Sequence, residues 1–177
     1  MESGASPGQV LIRDIYIRED QDFRAKLLIA ALDRLSVAHD VDEIISVVRS
    51  TARSVCSADG VTFVLRDGDK CHYVEEDAIG PLWKGQKFPI ETCISGWAMM
   101  HRRTAAIADI FADDRIPHDV YRKTFVKSLV MVPVGGASSI AAMGAYWREK
   151  SAFTEGDIAA IEKLAGAISG AMQRLAA

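Results

Sequence analysis

The sequence predicts an α+β domain in which an antiparallel sheet carries the terminal helices on one face and a roof of loops and short helices on the other. Three observations point there. Helical periodicity fills the region from residue 21 to the middle fifties and returns from 154 to the end. Between these stretches the strand-like runs come in adjacent pairs, "VTFVLRDGDKCHYVEE" around the turn Asp67-Gly68 and "SLVMVPV" with "IAAMGAYW" around "GGASS". The segment 78–127 between the pairs is broken by Gly80-Pro81, Gly85, Pro89 and Pro117, so it can hold only short elements. Strands in antiparallel groups with helices outside them form the α+β pattern.

The elements follow in order. Residues 1–20 are polar and mixed in charge, and read as a flexible lead with a short strand or helical turn at "VLIRDIYI". One domain then spans residues 21–177. Phe23, Leu27, Ala31 and Leu35 repeat at four-residue steps, the stripe of a first helix. Asp40 with Glu43 has the form of a capping box, and Val41, Ile44, Ile45, Val48, Ala52 and Val55 make the face of a second helix. The hairpin follows. "SGWAMMHRR" reads as a short helix capped by Ser95, "TAAIAD" as a short strand, and "PHDVYRKTF" as a helix of about two turns opened by Pro117. After the second strand pair, Thr154 and Asp157 cap a long helix. Its residues Ile158, Ile161, Ala165, Ile168, Met172 and Leu175 have the spacing of a coiled-coil seam.

Bulk properties narrow the function. A chain of 177 residues can bury a core without metals or disulfides. A net charge of −3 gives no broad attraction to nucleic acid or anionic lipid, so neither is expected as a partner. Cys56, Cys71 and Cys93 are an odd set with no CxxC, which points to a reducing compartment. No signal peptide and no apolar run of membrane-spanning length is visible, and a cytoplasmic location is expected.

"SADGVTFVLRDGD", "CISGWAMMHRR", "AIADIFADDRI", "SLVMVPV", "IAAMGAYW" and "FTEGDIAAIEKLAGAISGAM" together resemble a GAF domain over about residues 24–176. GAF domains are small-molecule-sensing modules, and the chain looks most like those of bacterial two-component histidine kinases. The resemblance implies a six-stranded antiparallel sheet, a ligand cavity on one face, a homodimer through the terminal helices, and a downstream kinase or other output domain as partner.

Chemistry is then weighed site by site. Phytochrome-like GAF domains attach a bilin to a cysteine followed by histidine. Here Ile116-Pro117-His118 stands in that place, so a covalent bilin is not expected, and noncovalent tetrapyrrole or haem is disfavoured. The family's methionine sulfoxide reductases carry a "V-C-G" segment, whereas this chain has Ile94-Ser95-Gly96 with Cys93 one residue off. Cys71 and Cys93 are a conceivable thiol pair in the wrong pattern. Cys56 lies on the second helix's stripe and reads as core, while Cys71 on the hairpin is expected to be the more reactive thiol. The four histidines lack metal-site spacing, and Asp109, Asp113 and Asp114 read as loop caps, so no metal is expected.

The remaining candidate is a roof pocket. Trp83, Phe88, Cys93, Trp97, Tyr121 and Phe125 supply apolar lining, while Arg115, His118 and Arg122 supply positive character at its rim. The reading is a noncatalytic sensory domain that binds a small molecule and signals through a helical dimer. Phe23, Leu27 and Leu35 with Ile161, Ile168 and Leu175 are expected to form its interface. The rivals are a cysteine-dependent reductase of a small oxidised metabolite, of the free methionine sulfoxide type, and a ligandless dimerisation module.

Overall fold

The computed structural model describes residues 7–177, with side chains from residue 9 onward. Helix α1 (Pro7–Ser36) leads to α2 (Val41–Val47), which continues through a π-helical turn at Val48–Ala52 into α3 (Arg53–Val55). The hairpin β1 (Gly60–Asp67) and β2 (Lys70–Ala78) follows, then β3 (Lys87–Pro89), α4 (Ile94–His101), β4 (Ala105–Ile107) and α5 (His118–Tyr121). Strands β5 (Ser128–Val134) and β6 (Ala141–Trp147) and helix α6 (Glu155–Ala176) close the chain. The six strands lie in the order β3-β2-β1-β6-β5-β4, every pair antiparallel. This is the expected α+β architecture. The strand that residue patterning does not reveal is β3, three residues inside a stretch that reads as loop.

Capping behaves as the residue types dictate. Thr154 and Asp157 form a reciprocal capping box at the start of α6, and Asp40 accepts from the Glu43 N–H at 2.8 Å. Gly68 takes the positive φ of 62° that the Asp67-Gly68 turn requires. Three elements differ from expectation. Residues 7–20 are the first half of α1; Val10, Leu11 and Ile12, then Ile15, Tyr16 and Ile17, wrap around the helix and leave no single apolar stripe to read. Helix α5 is one turn, because the Thr124 hydroxyl donates to the Tyr121 carbonyl at 2.8 Å and ends it. The N-cap of α4 is Cys93, which places Ser95 inside the first turn.

Alternation along the strands divides the interior in two. Val61, Phe63, Val130, Val132, Met143 and Ala145 face the long helices and pack against Leu35, Ile44, Val47, Val55, Ile161, Leu164 and Ile168. Val64, Cys71, Tyr73, Leu129, Met131, Ala142 and Tyr146 face the roof. Leu35, Ile161 and Ile168 are thus buried within their own chain. Each contributes about 2 kcal/mol there, so none is surplus for a partner. Phe23 and Leu175 remain exposed.

Two glycines permit close approaches. A Cβ on Gly144 would stand 2.4 Å from the Tyr146 hydroxyl, so glycine there lets the Tyr146 ring fold back over its own strand to reach Thr62 Oγ1 at 2.8 Å. In α4, a Cβ on Gly96 would stand 1.7 Å from the Ile90 carbonyl oxygen. Gly96→Ala should therefore push α4 off the loop before it and destabilise the domain by about 3 kcal/mol. Denaturant unfolding checks this; a change within error of zero would mean that α4 does not dock on Ile90.

Candidate functional site

Strand β2 builds the floor of the site. The register between β1 and β2 slips at Val74, so Phe63 pairs with Glu75 and Val64 with Tyr73. This β-bulge resets the alternation. Cys71 and Tyr73 face the roof, Val74 packs toward the helices, and Glu76 turns roofward again. The Glu76 carboxylate accepts three backbone N–H groups from the loop above, Leu82 at 3.2 Å, Trp83 at 2.8 Å and Lys84 at 2.8 Å. That grip fixes Trp83 over the sheet. Its indole meets Tyr121 at 4.7 Å between ring centroids, Tyr73 at 5.5 Å and Tyr146 at 5.6 Å, and Phe88 stands edge-on to Tyr73 at 5.6 Å.

These rings enclose a cavity of ≈ 10 Å³, lined by Tyr73, Trp83, Phe88 and Tyr121 with Cys93, Pro117 and Val120. That is about the room one water molecule occupies. The Tyr121 hydroxyl is buried and has no hydrogen-bond partner among the described residues. Burial, and then the neighbouring Tyr146 and Cys93, push the Tyr121 phenol well above its ordinary pKa, so it stays a proton donor.

Cys93 lines this cavity at the N-cap of α4. Its sulfur is 3.2 Å from Ser95 Oγ, which in turn meets the Tyr73 hydroxyl at 3.1 Å. Cys71 belongs to the same buried roof cluster. The neighbouring Cys71 thiol is the main reason the Cys93 thiol titrates below the ordinary range; burial opposes the shift, while Ser95 and the backbone N–H groups of Gly96 and Ser95 reinforce it. Cys71 moves the opposite way, through the neighbouring Cys93 and through burial. Cys71 is fully buried, so its expected reactivity as an exposed hairpin thiol is corrected. Cys56 is also fully buried, and burial with the nearby Asp157 charge pushes it up to about 12, against a smaller opposing pull from Arg24.

Of the residues proposed from sequence, Trp83, Phe88, Cys93 and Tyr121 meet at the cavity. The others lie outside it. Trp97 forms an outer stack with His101 at 4.6 Å, with the Arg115 guanidinium 4.4 Å from its ring. Arg115 also pairs with Asp113 at 2.6 Å and holds that carboxyl below the usual range. His118 reaches the Asp113 carbonyl at 3.0 Å, and Arg122 is an exposed partner of Asp119. Phe125 packs beside Gly60 and Gly80 instead of the cavity. Tyr73, Ser95 and Glu76 went unselected. The two-residue step from Cys71 to Tyr73 on a strand was the available signal for the first. Ser95 was taken for a cap, and nothing local to Glu76 announces its loop. Asp109 accepts from the Phe111 N–H at 3.0 Å and pairs with Lys150 at 2.7 Å, as a loop cap does.

The cavity does not fit a tetrapyrrole or haem: its volume is that of a single water. A larger groove of ≈ 380 Å³ lies on the other face, in the seam between α1 and α6. There Arg24 is bonded to the Val55 carbonyl and to Asp157, which makes the groove a helix joint.

The GAF domain family model matches residues 38–173. No curated protein matches the chain. Among solved structures, the free methionine-R-sulfoxide reductase from Neisseria meningitidis, in complex with its substrate, is similar at a TM-score of 0.73 and 16% identity, over 99% of this chain and 96% of that one. The GAF domain of an Acinetobacter phosphoenolpyruvate-protein phosphotransferase reaches 0.73 at 11% identity over 86% and 93%. Residues 122 to 287 of a methyl-accepting chemotaxis protein reach 0.70 at 20% identity over 82% and 96%. The expectation of a noncatalytic module is thereby corrected: enzymes share this fold across nearly the full length of both chains, so the fold gives no ground for excluding catalysis.

Two substitutions test the site's construction. Glu76→Ala strands three N–H groups and should cost about 2–3 kcal/mol, with Trp83 fluorescence shifting before the domain unfolds. Tyr121→Phe removes a buried hydroxyl that has no partner among the described residues and should leave thermal stability unchanged or slightly raised, by up to about 1 kcal/mol. A clear loss in Tyr121→Phe would show that the hydroxyl is satisfied in solution.

Proposed function

Because the chain belongs to the GAF domain family, we propose that it is a sensory module that takes a small hydrogen-bond acceptor into the roof cavity beside Tyr121 and Cys93. The buried, unpartnered Tyr121 hydroxyl carries this reading. Leaving a hydroxyl without a partner in an apolar site costs about 1–3 kcal/mol, and a ligand that accepts its proton recovers that cost. The cavity as it stands has room for about one water, so a ligand of a few heavy atoms has to widen it. Entry of such a ligand has to displace Trp83 or the one-turn helix α5.

Transmission follows the packing. Trp83 contacts Tyr146 on β6, whose neighbours Ala145 and Trp147 face the long helices. Helix α1 exposes Leu11, Ile15, Tyr16 and Phe23, and α6 exposes Leu175, which suits a second copy of the chain. The proposed output is a change in how two such helix pairs pack, read by a kinase or another effector domain. The likeness to a domain of a chemotaxis protein supports a signalling role. Cys93, which lines the cavity with its thiol held below the ordinary range, favours a second reading, cysteine-dependent reduction of a small oxidised metabolite.

The test is a titration with formate, nitrate and dimethyl sulfoxide, followed by tryptophan fluorescence. Binding of one of them should weaken roughly fivefold in Tyr121→Phe, the value of one hydrogen bond near 1 kcal/mol. No response to any probe, together with no small molecule retained in native mass spectra of protein from its own cells, would overturn the reading. For the assembly, Ile15→Glu with Tyr16→Glu should convert a dimer to monomer in sedimentation, while Leu35 is not available to an interface at all. A monomeric wild type would refute the dimer.

A further inference from the structure

We propose that the chain has a second binding site, separate from the roof, that takes a zwitterionic small molecule, a free amino acid. A groove of ≈ 230 Å³ opens where the end of α4, the β5–β6 turn and α6 meet. Arg102, the C-cap of α4, and Glu162 of α6 both line it. The Arg102 guanidinium donates to the Ala137 carbonyl at a long 3.4 Å, and Glu162 accepts the Thr104 hydroxyl at 2.7 Å. Neither belongs to an ion pair among the described residues. A cation and an anion thus border one groove without pairing with each other.

Two further observations mark the groove as a site. Ser139 lines it at 5% exposure, and its hydroxyl has no hydrogen-bond partner among the described residues. A polar group so placed destabilises the fold until something bonds it. Gly166 lines the same groove in the middle of α6, where a Cβ would meet nothing within 4 Å. Glycine there weakens the helix, and no close packing within the chain requires it; its effect is to keep the groove open. The ligand's chemistry follows from the walls. The Arg102 fork and the Ser139 hydroxyl can donate to a carboxylate, and Glu162 can accept from an ammonium. A plain anion would face Glu162 and a plain cation would face Arg102, so a molecule bearing both charges suits both walls. Val132 and Ala165 add apolar surface for a short aliphatic portion. At ≈ 230 Å³ the groove is smaller than the about 300–1,000 Å³ of sites for drug-sized ligands, which suits one amino acid better than a peptide. A bound amino acid would bridge α6 to the β5–β6 turn and give that helix an input independent of the roof cavity.

The experiment is calorimetric titration of the whole chain with L-alanine, L-valine and 4-aminobutanoate, which vary the bulk and the spacing between the charges. Acetate and methylamine serve as single-charge controls. At least one amino acid should bind, with both controls about tenfold weaker or more. Arg102→Gln and Glu162→Gln should each weaken that binding about fivefold. Ser139→Ala should weaken it too, yet leave the melting temperature unchanged or raised, which a hydroxyl with a structural role would not do. Gly166→Leu gains helix propensity and should fold while losing the binding. No binding of any of the three amino acids overturns the site, and so does binding that survives Gly166→Leu. Acetate binding as tightly as the amino acids overturns the zwitterion. An altered sedimentation of Gly166→Leu with no amino acid bound assigns the glycine to helix contacts, and the site falls. Tyr121→Phe should leave this binding unchanged, so the groove and the roof cavity stand or fall separately.

Discussion

The roof hangs on one carboxylate. Glu76 offers its two oxygens to three consecutive backbone N–H groups, and those three residues carry the indole that closes the cavity. Without that acceptor the donors would be stranded in a half-buried loop, and Trp83 would have no fixed relation to the sheet. Glu76 can do this only because the chain gains one residue at Val74. In an unbulged strand the alternation from Tyr73 would carry Glu76 to the helix side, among Val61, Phe63 and the long helices. One extra residue in the β1–β2 hairpin thus determines where an aromatic ring sits several residues later.

The two faces of the sheet differ in kind. The helix face is an apolar layer, stitched at its ends by Arg24 on the Val55 carbonyl and Arg174 on the Leu35 carbonyl. Its one buried thiol, Cys56, is held in the neutral form. The roof face mixes aromatic rings with hydroxyls and two thiols, and among the described residues the Tyr121 hydroxyl is buried without a partner. Such an interior costs more to assemble than hydrocarbon and gains stability only when its hydrogen bonds are complete. It is therefore the face on which chemistry can happen, and the face whose packing depends on what occupies it.

Much of this was legible in the residues. Hairpin turn chemistry at Asp67-Gly68, the capping box at Thr154 and the strand pairs gave the sheet and the terminal helices, since these are local signals. Trp83, Phe88, Cys93 and Tyr121 were picked out because large rings cluster in a segment too broken to form a core of its own. Cys71 was mistaken for an exposed thiol because β3, its covering neighbour, is only three residues long and leaves no period to detect. Ser95 looked like a cap, and the true cap is a cysteine, a residue type that capping preferences do not suggest. The extent of α1 was hidden because its first half has no inward face: a helix that does not pack on its own domain carries no amphipathic stripe. The apolar residues of α6 were visible, but their spacing could not say whether they served the subunit or a partner.

The unequal fastening of the two faces has a kinetic consequence. The helices share a thick apolar layer with the sheet and should release only when the whole domain does. The loop from 79 to 86 is tied by the Glu76 carboxylate and, at its two ends, by Ile79 to the Asp59 carbonyl and by Gly85 and Gln86 to Tyr73, with no such layer beneath it, so it can detach as a smaller cooperative unit. Amide hydrogen exchange would then sort the molecule into two strata, with Leu82, Trp83 and Lys84 exchanging together at a free energy well below that of β1, β5 and β6. Whatever enters the cavity would do so at the frequency of that partial opening, and whatever binds there would be felt first as slower exchange at those three amides.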